Sequence, residues 1–159
     1  MPGASEGYGR RVPRPLRSDL PDGFYHVTAH GVGHARIFRD DEDRRDFLAL
    51  LVATVDRFEW RCYAFCLMGT HYHLVVETTQ ERLSRGVQRL NGLYAQAFNV
   101  RHSRSGHLFG ARFGSWIVES ERHLFDACRY VLGNPVRARL CESAEDWPWS
   151  GSRFGRRAA

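Results

Sequence analysis

From residue 23 onward, short runs that alternate apolar and polar positions are interleaved with longer runs of helical spacing. Gly23-Phe24-Tyr25-His26-Val27-Thr28-Ala29-His30 predicts a strand, bounded by Pro21-Asp22-Gly23 and Gly31-Val32-Gly33. Asp40-Asp41-Glu42 is an acidic start to a helix of about 40–58, whose apolar stripe is Phe47, Leu48, Leu51 and Val55. Trp60 to Leu67 alternates as a strand, Met68-Gly69-Thr70 makes a turn, and His71 to Thr78 returns. Residues 81–100 predict a second amphipathic helix, with Leu83, Val87, Leu90, Tyr94, Ala97 and Phe98 on one side and Arg82, Arg85 and Arg89 on the other. A fourth strand fits Phe113 to Glu119. A third helix runs from its cap, Ser120, to about Asn134, turning Leu124, Ala127, Cys128 and Val131 toward the sheet before Pro135 ends it.

The order strand–helix–strand–strand–helix–strand, followed by a third helix, predicts an α+β fold of the ferredoxin-like split βαβ type. Such a fold puts the hairpin strands at the centre of an antiparallel sheet with helices on one face. A length of 159 residues suits one domain. We expect a basic extended arm at 1–20, a single domain at 21–152 and a basic tail at 153–159. The arm holds Arg10, Arg11, Arg14 and Arg17 among Pro13 and Pro15, with no apolar period. Trp147-Pro148-Trp149-Ser150 is a short aromatic anchor ahead of the tail.

No apolar stretch approaches the ~18 to 20 residues of a membrane span, and the N-terminus lacks the apolar core of a secretory signal. A cytoplasmic location without a membrane partner is expected. All 23 basic residues are arginine, and the formal net charge is +5. Each positive charge is therefore a planar fork able to grip phosphate or stack on a base. Their concentration in both tails and around Arg101, Arg104 and Arg112 points to nucleic acid, although a surplus of this size also suits a solvated surface. Cys62, Cys66, Cys128 and Cys141 do not form paired zinc signatures and read as reduced, buried thiols. Cys62 and Cys66, an even number of residues apart on one strand, should face the same way.

Candidate chemistry resides in two places. Residues i and i+2 of a strand share a face, so His71 and His73 would present two imidazoles to one divalent metal while Tyr72 points away. Residues i and i+4 of a helix share a face, so Tyr130 and Asn134 would look out together. If strand and helix meet, one pocket holds two imidazoles, a carboxamide and a phenol. Taken singly, each residue has a structural explanation: strand histidines satisfied in a core, a core or surface tyrosine, an asparagine at a helix C-terminus.

The series of motifs resembles the single-tyrosine HUH transposases, most closely the REP-associated tyrosine transposases. The matching segments are Tyr25-His26-Val27-Thr28, Ile37-Phe38-Arg39-Asp40, Leu67-Met68-Gly69-Thr70-His71-Tyr72-His73-Leu74, Gly106-His107-Leu108-Phe109-Gly110-Ala111-Arg112-Phe113, Arg129-Tyr130, Asn134-Pro135-Val136-Arg137-Ala138 and Trp149-Ser150. They run through residues 11–152 in the family's order. One departure is Thr70, where the family usually has asparagine before the first histidine; a threonine hydroxyl can still cap the turn.

The resemblance implies a protein that binds hairpin-forming repeats and cleaves them as single strands. By position, His71 and His73 become the metal-binding pair, Asn134 the third ligand and Tyr130 the nucleophile. Tyr130 would attack a DNA phosphorus to give a 5′-phosphotyrosine link and a free 3′-hydroxyl, conserving the phosphodiester's energy for rejoining. Mg²⁺ or Mn²⁺ is the implied metal, the imidazoles suiting Mn²⁺ at least as well. Arg10, Arg11, Arg14, Arg17, Arg101, Arg104 and Arg112 are the expected DNA contacts. Single-stranded or hairpin DNA is the expected partner, and oligomeric state is open, a homodimer included. Two other classes remain at this point: a cleavage-deficient regulator that binds repeat DNA, and a small metal-dependent phosphoesterase that activates water.

Overall fold

A computed structural model describes residues 10–11 and 22–155. Its elements in chain order are β1 (Arg10–Arg11), β2 (Gly23–His30), α1 (Asp41–Phe58), β3 (Arg61–Leu67), β4 (His71–Thr78), α2 (Gln80–Arg101), β5 (Gly114–Val118), α3 (Glu121–Leu132), α4 (Asn134–Arg137) and β6 (Ser150–Ser152). The strands form one antiparallel sheet in the order β1-β5-β2-β4-β3-β6. The inner four, β5-β2-β4-β3, have the ferredoxin-like order that the element sequence predicts.

The alternation along β2 and β4 separates two cores. Tyr25, Val27, Tyr72, Leu74 and Val76 face α1 and α2, where they pack with Phe47, Leu51, Leu83, Val87, Leu90 and Tyr94. On the opposite face, Ala64, Cys66, Val75 and Val118 meet Leu124, Ala127, Cys128 and Val131 of α3. The helices therefore lie on both faces rather than on one. The physical reason is the apolar stripe of α3, which finds a second apolar patch on β3, β4 and β5.

Three further details depart from the sequence expectations. A bulge between Cys62 and Ala64 shifts the register, so Cys62 packs in the α1/α2 core while Cys66 lies under α3. Burial pushes the Cys62 thiol up to about 11 and the Cys66 and Cys128 thiols up to about 12, as befits unreactive core groups. Pro135 does not stop the helical path, because Asn134–Arg137 adds one more turn with proline at its start, where a missing N–H costs nothing. The aromatic anchor leads into β6, a strand absent from the sequence reading, which pairs with Ala64, Phe65 and Cys66.

Of the basic arm, only Arg10 and Arg11 are described; they pair with Ile117 and Trp116 at the sheet edge. Arg14 and Arg17 lie outside the described residues, as do 156–159 of the tail. Among the described residues, no helix is long and apolar enough to cross a membrane.

The turn before β4 is pinned from several sides. Gly69 O accepts from the backbone N–H groups of Ile37 and Phe38, Thr70 O accepts from Gly31 N–H, and Met68 O accepts from the Arg44 guanidinium. Trp147 Nε1 donates to Leu67 O, and Leu67 N–H donates to Trp149 O. The anchor thus fixes the end of β3.

Gly86 of α2 reports on this packing, because a Cβ there would come within 2.2 Å of the buried Trp60 ring. Gly86→Ala gains roughly 0.5–1 kcal/mol in helix propensity. Overpacking against a ring that cannot retreat costs about 1–3 kcal/mol. The expected result is net destabilisation, read as a lower urea midpoint at unchanged slope.

Candidate active site

The β2–β4 register gathers more histidine than the pair on β4. Thr28 lies opposite His73 and His30 opposite His71, so the even-numbered residues of β2 share a face with both. The result is a group of four: His26 and His30 on β2, His71 and His73 on β4. His30 stacks on His71 at 4.6 Å between ring centroids, and the His71 and His73 rings stand 5.0 Å apart, edge to face. His26 Nε2 lies 3.0 Å from His73 Nδ1, within a hydrogen bond buried under α3. The ring of Tyr72 points into the opposite core and donates its hydroxyl to Asn91 Oδ1 at 2.8 Å.

Helix α3 brings Tyr130 to this group. Ser120 caps its N-terminus by accepting from His123 N–H, and the apolar stripe seats it on the sheet. The Tyr130 ring then sits 5.8 Å from His26 and 6.5 Å from His73, centroid to centroid. Asn134, one turn further, is buried and donates Nδ2 to the carbonyls of Tyr130 and Val131 at 3.3 and 3.2 Å. Those bonds leave its carboxamide oxygen as the atom suited to a cation. Strand pair and helix meet where the Tyr130 ring faces His26 and His73.

Sequence reasoning missed three members of this constellation: His26, His30 and Arg137. His26 was visible only as one of two histidines at even spacing on β2, and its role depends on a pairing between strands 47 residues apart. Arg137 lies on the unexpected extra turn. Its guanidinium stands 4.0 Å over the Tyr130 ring and donates to the Tyr130 carbonyl. Gly133 leaves room for it, since a Cβ there would lie 2.8 Å from Arg137 Nη1.

Burial sets the electrostatics. The His26 imidazole is held down at about 3 by desolvation, with the Arg137 charge adding to it. His73 is driven well below the usual histidine range by the same desolvation and by neighbouring His26, His71, His30 and Arg137. Both rings are neutral at physiological pH, the form in which imidazole binds metal. His73 Nε2 is buried and without a hydrogen-bond partner. A buried ring nitrogen without a partner, 5.0 Å between ring centroids from a second imidazole on the same strand, is the donor type that a borderline divalent cation takes.

Among the described residues, only Asp40, Asp43 and His102 bring three histidine, cysteine or carboxylate donors within 4.8 Å of one another. A cation already occupies that cluster. Arg101 donates to Asp40 at 2.8 Å, to Glu42 at 2.9 Å and to Asp43 at 2.5 Å, and His102 Nε2 is 2.8 Å from Asp43. The group ties the end of α2 to the start of α1.

The same ion pairs alter the expectation for the arginine loop. Arg101 has three acidic neighbours and is a structural tie. Arg104 donates to Asn99 Oδ1, Gly106 O and His107 O and so shapes its own loop. Arg112 is exposed beside a cleft of about 310 Å³ that His30 and His34 also line.

The family model described as "Transposase IS200 like" matches residues 22–134, the span that carries all four histidines, Tyr130 and Asn134. Two solved structures share the fold. One is described as a REP-associated tyrosine transposase bound to a REP hairpin. It is 13% identical with a TM-score of 0.70, over 82% of this chain and 77% of that one. The other, a putative transposase from Deinococcus radiodurans R1, is 16% identical with a TM-score of 0.50, over 88% of this chain and 92% of that one. No curated protein matches. With a family model covering most of its length, this chain belongs to the IS200-like transposases.

Proposed function

We propose that the chain is a metal-dependent transesterase of single-stranded DNA, binding hairpin-forming repeats and cleaving and rejoining them through a 5′-phosphotyrosine at Tyr130. The observation that carries this reading is the placement of the Tyr130 ring within 6.5 Å of His73, with a guanidinium over its face. Family membership and the hairpin-bound structural relative support the class of substrate.

His71, His73 and the Asn134 oxygen would hold Mn²⁺ or Mg²⁺, which when bound polarises a non-bridging phosphate oxygen and fixes the scissile group. Tyr130 supplies the nucleophile. A bond forms between its phenolic oxygen and phosphorus while the bond to the 3′-oxygen breaks; the phenol loses its proton and the leaving oxygen gains one. Arg137 lies where it can offset charge on the phenolate and on the attacked phosphate. Burial of His26 and His73 keeps water from competing at the far side of the pair. Arg10, Arg11, Arg14, Arg17 and Arg112 supply phosphate contacts, with Arg101 and Arg104 acting indirectly by holding the loop that carries Arg112. The domain proper is 21–152, flanked by the arm and tail. Cytoplasmic DNA is the expected partner, and a second copy of the chain is a natural assembly for joining two ends.

Tyr130→Phe should abolish cleavage of hairpin-bearing single strands and the covalent adduct on denaturing gels, with binding within a few-fold of wild type. His71→Ala or His73→Ala should lose cleavage, Asn134→Ala should lose part of it, and EDTA should stop the wild type. An adduct formed by the Phe variant, or full activity in EDTA, would refute the mechanism.

Arg137→Ala should slow single-turnover cleavage by about 10²-fold, the scale of one lost electrostatic contact to developing charge. Gly133→Ala should mimic it in part, because the new methyl displaces only the mobile end of Arg137 and leaves the fold intact. Wild-type rates in both variants would remove Arg137 from the site.

Deleting residues 1–17 should weaken hairpin binding and flatten its salt dependence. The log–log slope should drop by up to about 3 if all four arginines reach phosphates. Cleavage at saturating DNA should persist. Superimposable titrations of intact and truncated protein at several salt concentrations would show the arm to be a tail only.

A further inference from the structure

Both histidines of the β4 pair are held by the same ring atom. Thr70 Oγ1 lies 3.0 Å from Nδ1 of His71, and His26 Nε2 lies 3.0 Å from Nδ1 of His73. A neutral imidazole carries one N–H, and the partner at one nitrogen decides which tautomer forms. A threonine oxygen can accept a proton, and so can the Nε2 of an imidazole whose own proton sits on Nδ1. At His73 the other nitrogen, Nε2, is buried with no acceptor in reach, so a proton placed there would be an unsatisfied donor.

We infer that Thr70 and His26 are positioning residues that accept the Nδ1 protons of His71 and His73, so that both rings offer an Nε2 lone pair to one divalent cation. The inference rests on the metal centre proposed above and adds what orients it. His26 is suited to the task because it cannot turn away. It is fully buried, with Trp116 at 5.6 Å and Tyr130 at 5.8 Å between ring centroids, on a strand whose register places it opposite Val75. Its Nε2 is committed to His73, which makes it a support for a ligand rather than a ligand through that atom. Thr70 stands where the resemblance expects asparagine, and its side chain still offers a hydrogen bond. In this fold the hydroxyl meets the His71 ring at the start of the strand. The same arrangement at two positions, built from unrelated side chains, argues that the shared Nδ1 contact is what the site requires.

Two measurements on the full chain test this. The first reads ring tautomers in metal-free, ¹⁵N-histidine-labelled protein, with signals assigned by their loss in His71→Ala and His73→Ala. Nδ1–H is expected on both rings; Nε2–H on either would overturn the proposal for that ring. The second is Mn²⁺ affinity by electron paramagnetic resonance titration. Thr70→Val, close to isosteric, and His26→Phe should each weaken binding by about 10–100-fold with unchanged circular dichroism. His26→Gln, whose carboxamide oxygen can accept the Nδ1 proton, should recover most of the loss. Wild-type affinity in both Thr70→Val and His26→Phe would overturn the positioning roles. Should His26→Phe not fold, Thr70→Val and the wild-type spectrum still decide. A wild type that binds no Mn²⁺ would instead sink the metal centre itself, an outcome distinct from variants that bind as well as wild type.

Discussion

The site depends on the register between β2 and β4. Each strand places alternate residues on opposite faces, so a slip of one position would send Tyr72 and Leu74 toward α3 and His71 and His73 into the aromatic core. Several interactions make such a slip costly. Tyr72 is locked by Asn91 and by the rings of Phe47 and Phe109. The turn ahead of β4 is held through its carbonyls by Ile37, Phe38, Gly31 and Arg44. Forces on the α1/α2 face therefore fix the positions of imidazoles on the other face.

That division of labour explains why polar residues survive in the interior. Two buried imidazoles are costly as cations and tolerable as neutral rings, and the depressed titration of His26 and His73 follows from this. The hydrogen bond between them satisfies one nitrogen of each, which leaves His73 Nε2 as a buried ring nitrogen without a hydrogen-bond partner. A buried polar atom without a partner is rarely kept for stability alone.

Much of the frame was legible from periodicity. The bounds of β2, α1, β3, β4 and α2 follow the alternation and the caps closely, because strong amphipathic patterns dominate local propensity there. His71, His73, Tyr130 and Asn134 were legible because their spacing is local: i+2 on a strand, i+4 on a helix. What stayed hidden is non-local. His26 depends on β2 lying beside β4; Arg137 depends on the chain continuing helically through Pro135; the opposite facing of Cys62 and Cys66 depends on a bulge. The arginines illustrate the same limit. Composition shows charge but not its neighbours, and Arg101 proves to be bound among Asp40, Glu42 and Asp43.

Helix α3 completes the logic. Its inward stripe of Leu124, Ala127, Cys128 and Val131 is wholly apolar, so the hydrophobic effect alone sets its position and rotation on the sheet. Tyr130 immediately precedes the last residue of that stripe and so stands at the edge of the buried seam, half-buried beside the histidines. A ring deeper in the seam would be fully buried, and one on the outer face would miss the imidazoles. The boundary of the apolar stripe is thus also the boundary of the site. Arg137 reaches Tyr130 only because the chain turns once more beyond Gly133, a residue with no side chain to obstruct the guanidinium. Packing places the ring, and the extra turn brings the charge to it.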